Sequence, residues 1–303
     1  LRARLRRALT GPTGADMTIH PARPDELAAA FALLYGPAAD GHVAHAFQLV
    51  ARGELNPDDL LVARTGDTLA GAVFCQRLPG AVAVIWPPGA IGKDRAVEDA
   101  LTSAALEHVA NVKVVQSFLP PEEAARAEPL LRAGFRRVTR VWQMERPSSP
   151  PLPRKAGGEG RKTAASALAL LDYRACDPTE FAHTLLRSHD DSLDCPELHG
   201  VRTPEEVLSG YRDCAPDLAR WWLARAEDEP VGVLILGPSE LSFVGVVPER
   251  RGQGIGRALV EAAVSWHAAL SVIVDERNTP ARTLYRSLGF QTVGSRDVFL
   301  LIR

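Results

Sequence analysis

No stretch of the 303 residues approaches the 18 or more consecutive apolar residues of a membrane-spanning helix, so no membrane partner is expected. The four cysteines, Cys75, Cys176, Cys195 and Cys214, form no Cys-x-x-Cys pair and are too dispersed for a disulfide framework. They read as reduced thiols of a cytoplasmic protein. His183, His189, Cys195 and His199 share one region, but their spacing fits no zinc pattern, and no metal is expected. Neither sign of charge is in excess: 35 Lys and Arg against 37 Asp and Glu leave a net charge of -2. That balance argues against nucleic acid as the main partner. Nothing in the sequence sets the oligomeric state. What is present, a 46% apolar share over this length, suits a globular chain of two domains.

Residues 1–16 carry Arg2, Arg4, Arg6 and Arg7 without the apolar core of a signal peptide, and are expected to form a flexible basic arm. Met17 looks like a natural protein start. Residues 147–160 have the Pro/Gly/Ser composition of a linker. The flanking halves, 17–146 and 161–303, follow one plan. Strands at 60–64 and 70–76 match strands at 221–225 and 230–236, each pair joined by a short polar turn. Gly134-Phe135 answers Gly289-Phe290. An internal duplication is the expected origin.

The most informative segment runs from Pro248 to Leu259. An apolar run, 241–247, reads as a buried strand, and Ile255, Leu259, Ala262 and Trp266 predict one face of the helix that follows. Gly252, Gly254 and Gly256 alternate through the turn between them. Successive N–H groups at the start of such a helix make a site for phosphate or pyrophosphate. A dinucleotide loop would need glycine where Leu259 stands, and a P-loop would need Gly-Lys-Ser/Thr; both are missing.

Arg251-x-x-Gly254-x-Gly256 resembles the acyl-CoA pyrophosphate loop of the GCN5-related N-acetyltransferases (GNAT). After a strand at 270–274, Asn278 to Phe290, with Leu284-Tyr285-x-x-x-Gly289-Phe290, resembles that family's second signature. The resemblance implies an α/β fold of two tandem GNAT-like domains, each a mixed, mostly antiparallel sheet flanked by helices. It implies acetyl-CoA as acyl donor and direct N-acetylation of a primary amine on a small molecule. Two alternatives stay open: a non-catalytic acyl-CoA-binding or interaction module, and an acetyltransferase acting on protein N-termini or lysines. Within the family the layout is similar to the mycothiol synthase subgroup, whose acceptor is a cysteinyl amine. Arg251 departs from the glutamine of that subgroup.

By the same resemblance, Val246, Val247, Arg251, Gly252, Gly254, Ile255, Gly256, Arg257 and Asn278 would bind the donor. A bulge in strand 241–247 would aim the Val246 amide at the thioester carbonyl. Tyr285 would protonate the departing thiolate, its alternative being a packing tyrosine. Asn278 also suits a helix N-cap. Glu240 would take the amine's proton from the face of Ser242 and Val244, its alternative being an exposed strand end. The first half has lost these groups: Trp86-Pro-Pro-Gly-Ala-Ile-Gly-Lys93 stands at its loop, Leu130 replaces Tyr285 and Glu123 replaces Asn278. The acids Asp190, Asp191, Asp194 and Glu197 would attract a cationic amine, or form a solvated loop.

Overall fold

The computed structural model describes residues 17–36, 39–147, 168–267 and 269–303. The expected basic arm and linker residues 148–160 lie outside the described residues. The chain divides into two compact units, each described by itself.

The first unit takes the chain up to Gln76, then Ile85–Ala110 and Glu128–Ala133. Its elements are β1 (Met17–Pro21), α1 (Leu27–Tyr35), α2 (Ala39–Ala51), β2 (Leu60–Thr65), β3 (Thr68–Leu78), most of β4 (Val82–Ala90), α3 (Arg95–His108) and α4 (Glu128–Arg132). β1 pairs antiparallel with β2, and β2 with β3. Phe31, Leu34, Leu60, Val62 and Phe74 are buried between this sheet and α1.

The second unit holds Arg77–Val84, Asn111–Ala127 and Gly134–Arg303. It contains β5 (Val114–Leu119), β6 (Arg136–Arg146), β7 (Ala169–Asp172), α5 (Pro178–Arg187), α6 (Pro204–Cys214), β8 (Trp221–Ala226), β9 (Glu229–Leu236), β10 (Leu241–Val246), α7 (Ile255–Trp266), β11 (Leu270–Asp275), α8 (Thr279–Ser287) and β12 (Gln291–Ile302). One sheet runs β10-β9-β8-β7, all antiparallel. In the other, β5, β12, β6 and β11 lie side by side, also antiparallel. The start of β4 adds parallel to β5 at Val82–Val84. The class is α/β, with mixed and mostly antiparallel sheets flanked by helices, as expected.

These units cut across the expected halves. Residues 136–146, the end of the first half, form β6, whose two neighbours β11 and β12 both come from the second half. The C-terminal strand β12 in turn pairs on its other side with first-half strand β5. The halves have exchanged their last strands. Strand pairing of this kind leaves no trace in alternation, since β6 would bury the same residues in either partner.

Two layers of apolar contact flank β8 and β9. On one face α7 buries Ile255, Leu259, Val260 and Ala263, and α8 adds Tyr285 and Leu288. Trp266, expected on the buried face of α7, is 45% exposed, because Ala263 and Val260 take the core side; it rests on Trp222 at 4.4 Å between centroids. On the opposite face Trp221 is fully buried against Phe181 and Tyr173 of the α5–α6 layer, its indole N–H donating to Ala215 O at 2.8 Å. Helix starts are well defined. Thr203 and Glu206 form a reciprocal capping box before α6, and Asp177 caps α5.

Candidate active site

At the start of α7 the helix is left open. Its N-cap is Gly254, in the left-handed region at φ 85, where a residue with a Cβ would be strained. No side chain caps it and its first turn has no acid. The first intrahelical bond runs from Ala258 N to Gly254 O at 3.1 Å, so the N–H groups of Ile255, Gly256 and Arg257 have no partner within the helix. Gly252 is also left-handed, at φ 73. A Cβ on Gly256 would stand 3.8 Å from Val246 Cγ2, so the loop backbone passes close over the end of β10. The Arg257 side chain is turned aside to Glu261 (3.0 Å) and Ser287 (2.6 Å). Among the described residues, three donors without a partner and the positive helix end therefore converge with no carboxylate to fill them.

This helix start lies at one end of a seam. β10 and β11 run parallel and are edge strands of different sheets, joined at their beginnings by a bridge between Glu240 and Ser271 and by Ser271 N to Ser239 O at 2.9 Å. Beyond that point β10 pairs only with β9, and β11 only with β6, among the described residues. Val247 N donates to Val231 O at 3.0 Å, so the N–H and C=O of Val244 and Val246, of opposite parity, face away from β9. Val247 itself is buried.

Two expectations about β10 change. Its bulge falls at Ser242, between the Leu241 and Phe243 pairings, four residues before Val246. The extra residue also breaks the alternation that would group Glu240 with Val244. Val244 packs toward the α7 core, whereas Phe243 stacks on His189 at 4.7 Å on the α5–α6 side. Glu240 is exposed at the joined end of the seam, and among the described residues its carboxylate makes no hydrogen bond or ion pair.

Tyr285 is 5% exposed, packed against Phe290. Burial, reinforced by the nearby Asp194 carboxylate, pushes its phenol above the ordinary range. Asn278 caps α8 by accepting from Ala281 N at 3.1 Å, while its Nδ2 donates to Asp194 at 2.6 Å. Both ends of its amide are thus engaged within the protein. Asp194 also accepts from Asp275 N at 2.9 Å; burial and the Asp275 charge nevertheless hold its carboxyl above the usual value.

Sequence reasoning missed Asp275, which is 1% exposed and organises this region. Its carboxylate accepts from Thr139 Oγ1 (2.7 Å), Cys195 N (3.1 Å), and the backbone and guanidinium of Arg277 (2.8, 3.0 and 2.7 Å). Burial alone would raise its pKa; these donors outweigh it and hold the carboxyl below the usual value. Arg277 also grips Glu197 through two bonds of 2.6 and 3.0 Å, which lowers the Glu197 pKa. The acidic segment is therefore partly neutralised at Glu197, whereas Asp190, Asp191 and Asp194 have no basic ion-pair partner among the described residues. The Cys195 thiol is pushed up to about 12 by burial and the surrounding acids, which favours its protonated form. Among the described residues no group of three His, Cys, Asp or Glu side chains could hold a metal ion.

The corresponding place in the first unit is filled. Pro87 and Pro88 lie within β4, not in the loop as expected. What occupies the start of α3 is Asp94, whose carboxylate accepts from Ala96 N at 2.9 Å and Val97 N at 3.4 Å. A built-in anion sits where a phosphate would. Leu130, in the place of Tyr285, is fully buried. Asp94→Ala should therefore destabilise the protein by about 1 kcal/mol in urea unfolding, as loss of an N-cap does. Calorimetry on wild type should give one acetyl-CoA per chain; a stoichiometry of two would refute the self-capping account.

The family described as "Acetyltransferase (GNAT) domain" matches residues 217–292. Residues of this chain are 36% identical over 94 positions to the peptidyl-lysine N-acetyltransferase YjaB of Salmonella typhimurium, covering 31% of this chain and 63% of that protein. The chain thus spans a little under two thirds of that relative. A mycothiol acetyltransferase of Frankia alni is 30% identical over 240 residues, covering 71% of this chain and 68% of that protein. Among solved structures, a GCN5-related N-acetyltransferase from Sphaerobacter thermophilus superposes with a TM-score of 0.61 at 19% identity, over 96% of this chain and 97% of that one. That likeness speaks for the fold. The loop, the open helix start and these matches agree: the chain belongs to the GNAT superfamily, in its tandem-domain type.

Proposed function

We propose that this chain transfers an acetyl group from acetyl-CoA directly to the primary amine of a small molecule. The observation that carries this reading is the uncapped, acid-free start of α7 at the mouth of the β10–β11 seam, with Tyr285 on the adjoining helix. The pyrophosphate would take the N–H groups of Ile255, Gly256 and Arg257, with Gly252 and Gly254 supplying the bend. The acyl arm would lie along β10 beside Val246 and Val247. The Val246 amide would polarise the thioester carbonyl, Val244 being the next amide of the same parity. The amine lone pair attacks the carbonyl carbon, the C–S bond breaks, and the thiolate takes the Tyr285 proton. The amine's surplus proton passes to a base. Asn278 serves this site through Asp194 and the α8 cap, which leave its amide one N–H and one oxygen lone pair for the acyl arm.

Glu240 is our candidate base, reached through water, since its exposed carboxylate stands immediately before β10, the strand that would present the carbonyl. Glu240→Gln should lower kcat by roughly 10- to 10²-fold, with the loss shrinking as pH nears the amine's own pKa. An unchanged pH–rate profile would move the role to Asp190 or Asp191.

Thiol release from acetyl-CoA, measured with S-methyl-L-cysteine, glucosamine and a lysine peptide as acceptors, tests the function. Preference for the peptide would favour protein acetylation, the activity named for YjaB. No release with any amine, alongside tight acetyl-CoA binding, would leave a binding module.

A further inference from the structure

Arg251 belongs to the loop signature, yet its guanidinium points away from the open helix start. Nε donates to Val246 O at 3.0 Å, Nη1 to Asp191 O at 3.1 Å, and Nη2 to Ser188 O at 3.2 Å and Asp190 O at 2.5 Å. Four main-chain carbonyls from two distant segments thus share one side chain. Ser188 is the C-cap of α5, so three of these carbonyls lie at the negative end of that helix or just beyond it, where a cation is favoured. Asp191 holds φ 51, a left-handed state uncommon for a residue with a Cβ. Asp190 and Asp191 open the segment that ends at Cys195 and Glu197, tied to Asp275 and Arg277. The segment is fastened at both ends.

We infer that Arg251 is a positioning residue for the acceptor side, acting through the backbone of residues 188–191, and that its side chain does not hold the pyrophosphate. It fixes the wall of the acceptor site to the end of β10, the strand that presents the thioester. Only a planar fork with five donors can gather four carbonyls at once; a lysine ammonium offers three donors from a single point. The inference rests on the loop being the donor site, as proposed above.

The test compares wild type, Arg251→Lys and Arg251→Gln as full chains. Acetyl-CoA affinity is read by calorimetry, and local opening by amide hydrogen exchange. Arg251→Gln should leave acetyl-CoA affinity within about 3-fold while amides of residues 188–195 exchange at least about 10-fold faster, this being local opening of a segment that has lost its charge-assisted bonds. Arg251→Lys should recover part of that protection. Exchange of the α7 amides, expected unchanged, shows that the variants are folded. With whichever panel amine the wild type acetylates, KM for the amine should rise with KM for acetyl-CoA kept. A fall of about 10-fold or more in acetyl-CoA affinity with unchanged exchange at 188–195 would overturn the inference, since that is the mark of a lost phosphate bond. If wild type binds no acetyl-CoA, the proposed function fails instead, and the exchange comparison still decides whether Arg251 holds the wall.

Discussion

Tyr285→Phe is expected to lower kcat by roughly 10²-fold, the low end for a positioned general acid, with acetyl-CoA affinity nearly unchanged. The substitution removes one hydroxyl and little volume, and Tyr285 packs on Phe290 through its ring. Its phenol is buried and lies near the Asp194 carboxylate, both of which raise its pKa. The phenol therefore stays protonated across the whole range in which an amine can react. A raised pKa also makes it a weaker acid than an ordinary thiol, whose pKa is about 8.5. Proton transfer is favourable only as the thiolate forms unsolvated beside it. Two outcomes follow for the pH–rate profile: Tyr285 contributes no limb below about pH 10, its ordinary value, and the Phe variant lowers the curve without moving it. A wild-type rate in the variant would remove Tyr285 from the chemistry.

Gly254→Asp should abolish acetyl-CoA binding, weakening it by roughly 10²-fold or more, the worth of one or two charge-assisted hydrogen bonds. The protein already contains the arrangement in its other half. There Asp94 caps α3 with its own carboxylate. An aspartate at Gly254 would do the same to α7, placing a negative charge on the N–H groups of Gly256 and Arg257. It would also carry a Cβ at φ 85, a strained conformation costing about 1–3 kcal/mol. Gly254→Asn is the control: it tolerates the left-handed conformation better, caps without charge, and should retain more affinity. Unchanged calorimetric affinity in Gly254→Asp would mean that the donor binds elsewhere.

The parts of this site that could be read from sequence are local. Arg251, Gly254 and Gly256 lie within one turn, and Leu284, Tyr285, Gly289 and Phe290 within one helix and its end. Spacing alone carries them. The parts that could not be read join residues far apart. Asp194 meets Asn278 across 84 positions, Glu197 meets Arg277 across 80, and Arg251 meets Asp190 across 61. Glu197 looked unpaired because its partner Arg277 arrives from the turn after β11. Backbone carbonyls are invisible to motif reasoning, so the grip of Arg251 on them left no signal. The bulge at Ser242 shows a different limit: one added residue changes the facing of a strand, and Ser242 has no property that marks it.

The exchange of terminal strands has a consequence for synthesis. β6 leaves the ribosome early, but β11 and β12, its two neighbours, are the last strands made. More than a hundred residues must be added first, about 6–25 s at roughly 5–20 residues per second. Through that interval β6 offers two unpaired edges, the condition under which strands join the wrong partner. Ordinary tandem domains fold one after the other. Here the nascent chain must keep an early strand vacant until the last residues of the protein arrive, and a second chain emerging nearby could supply β12 in its place.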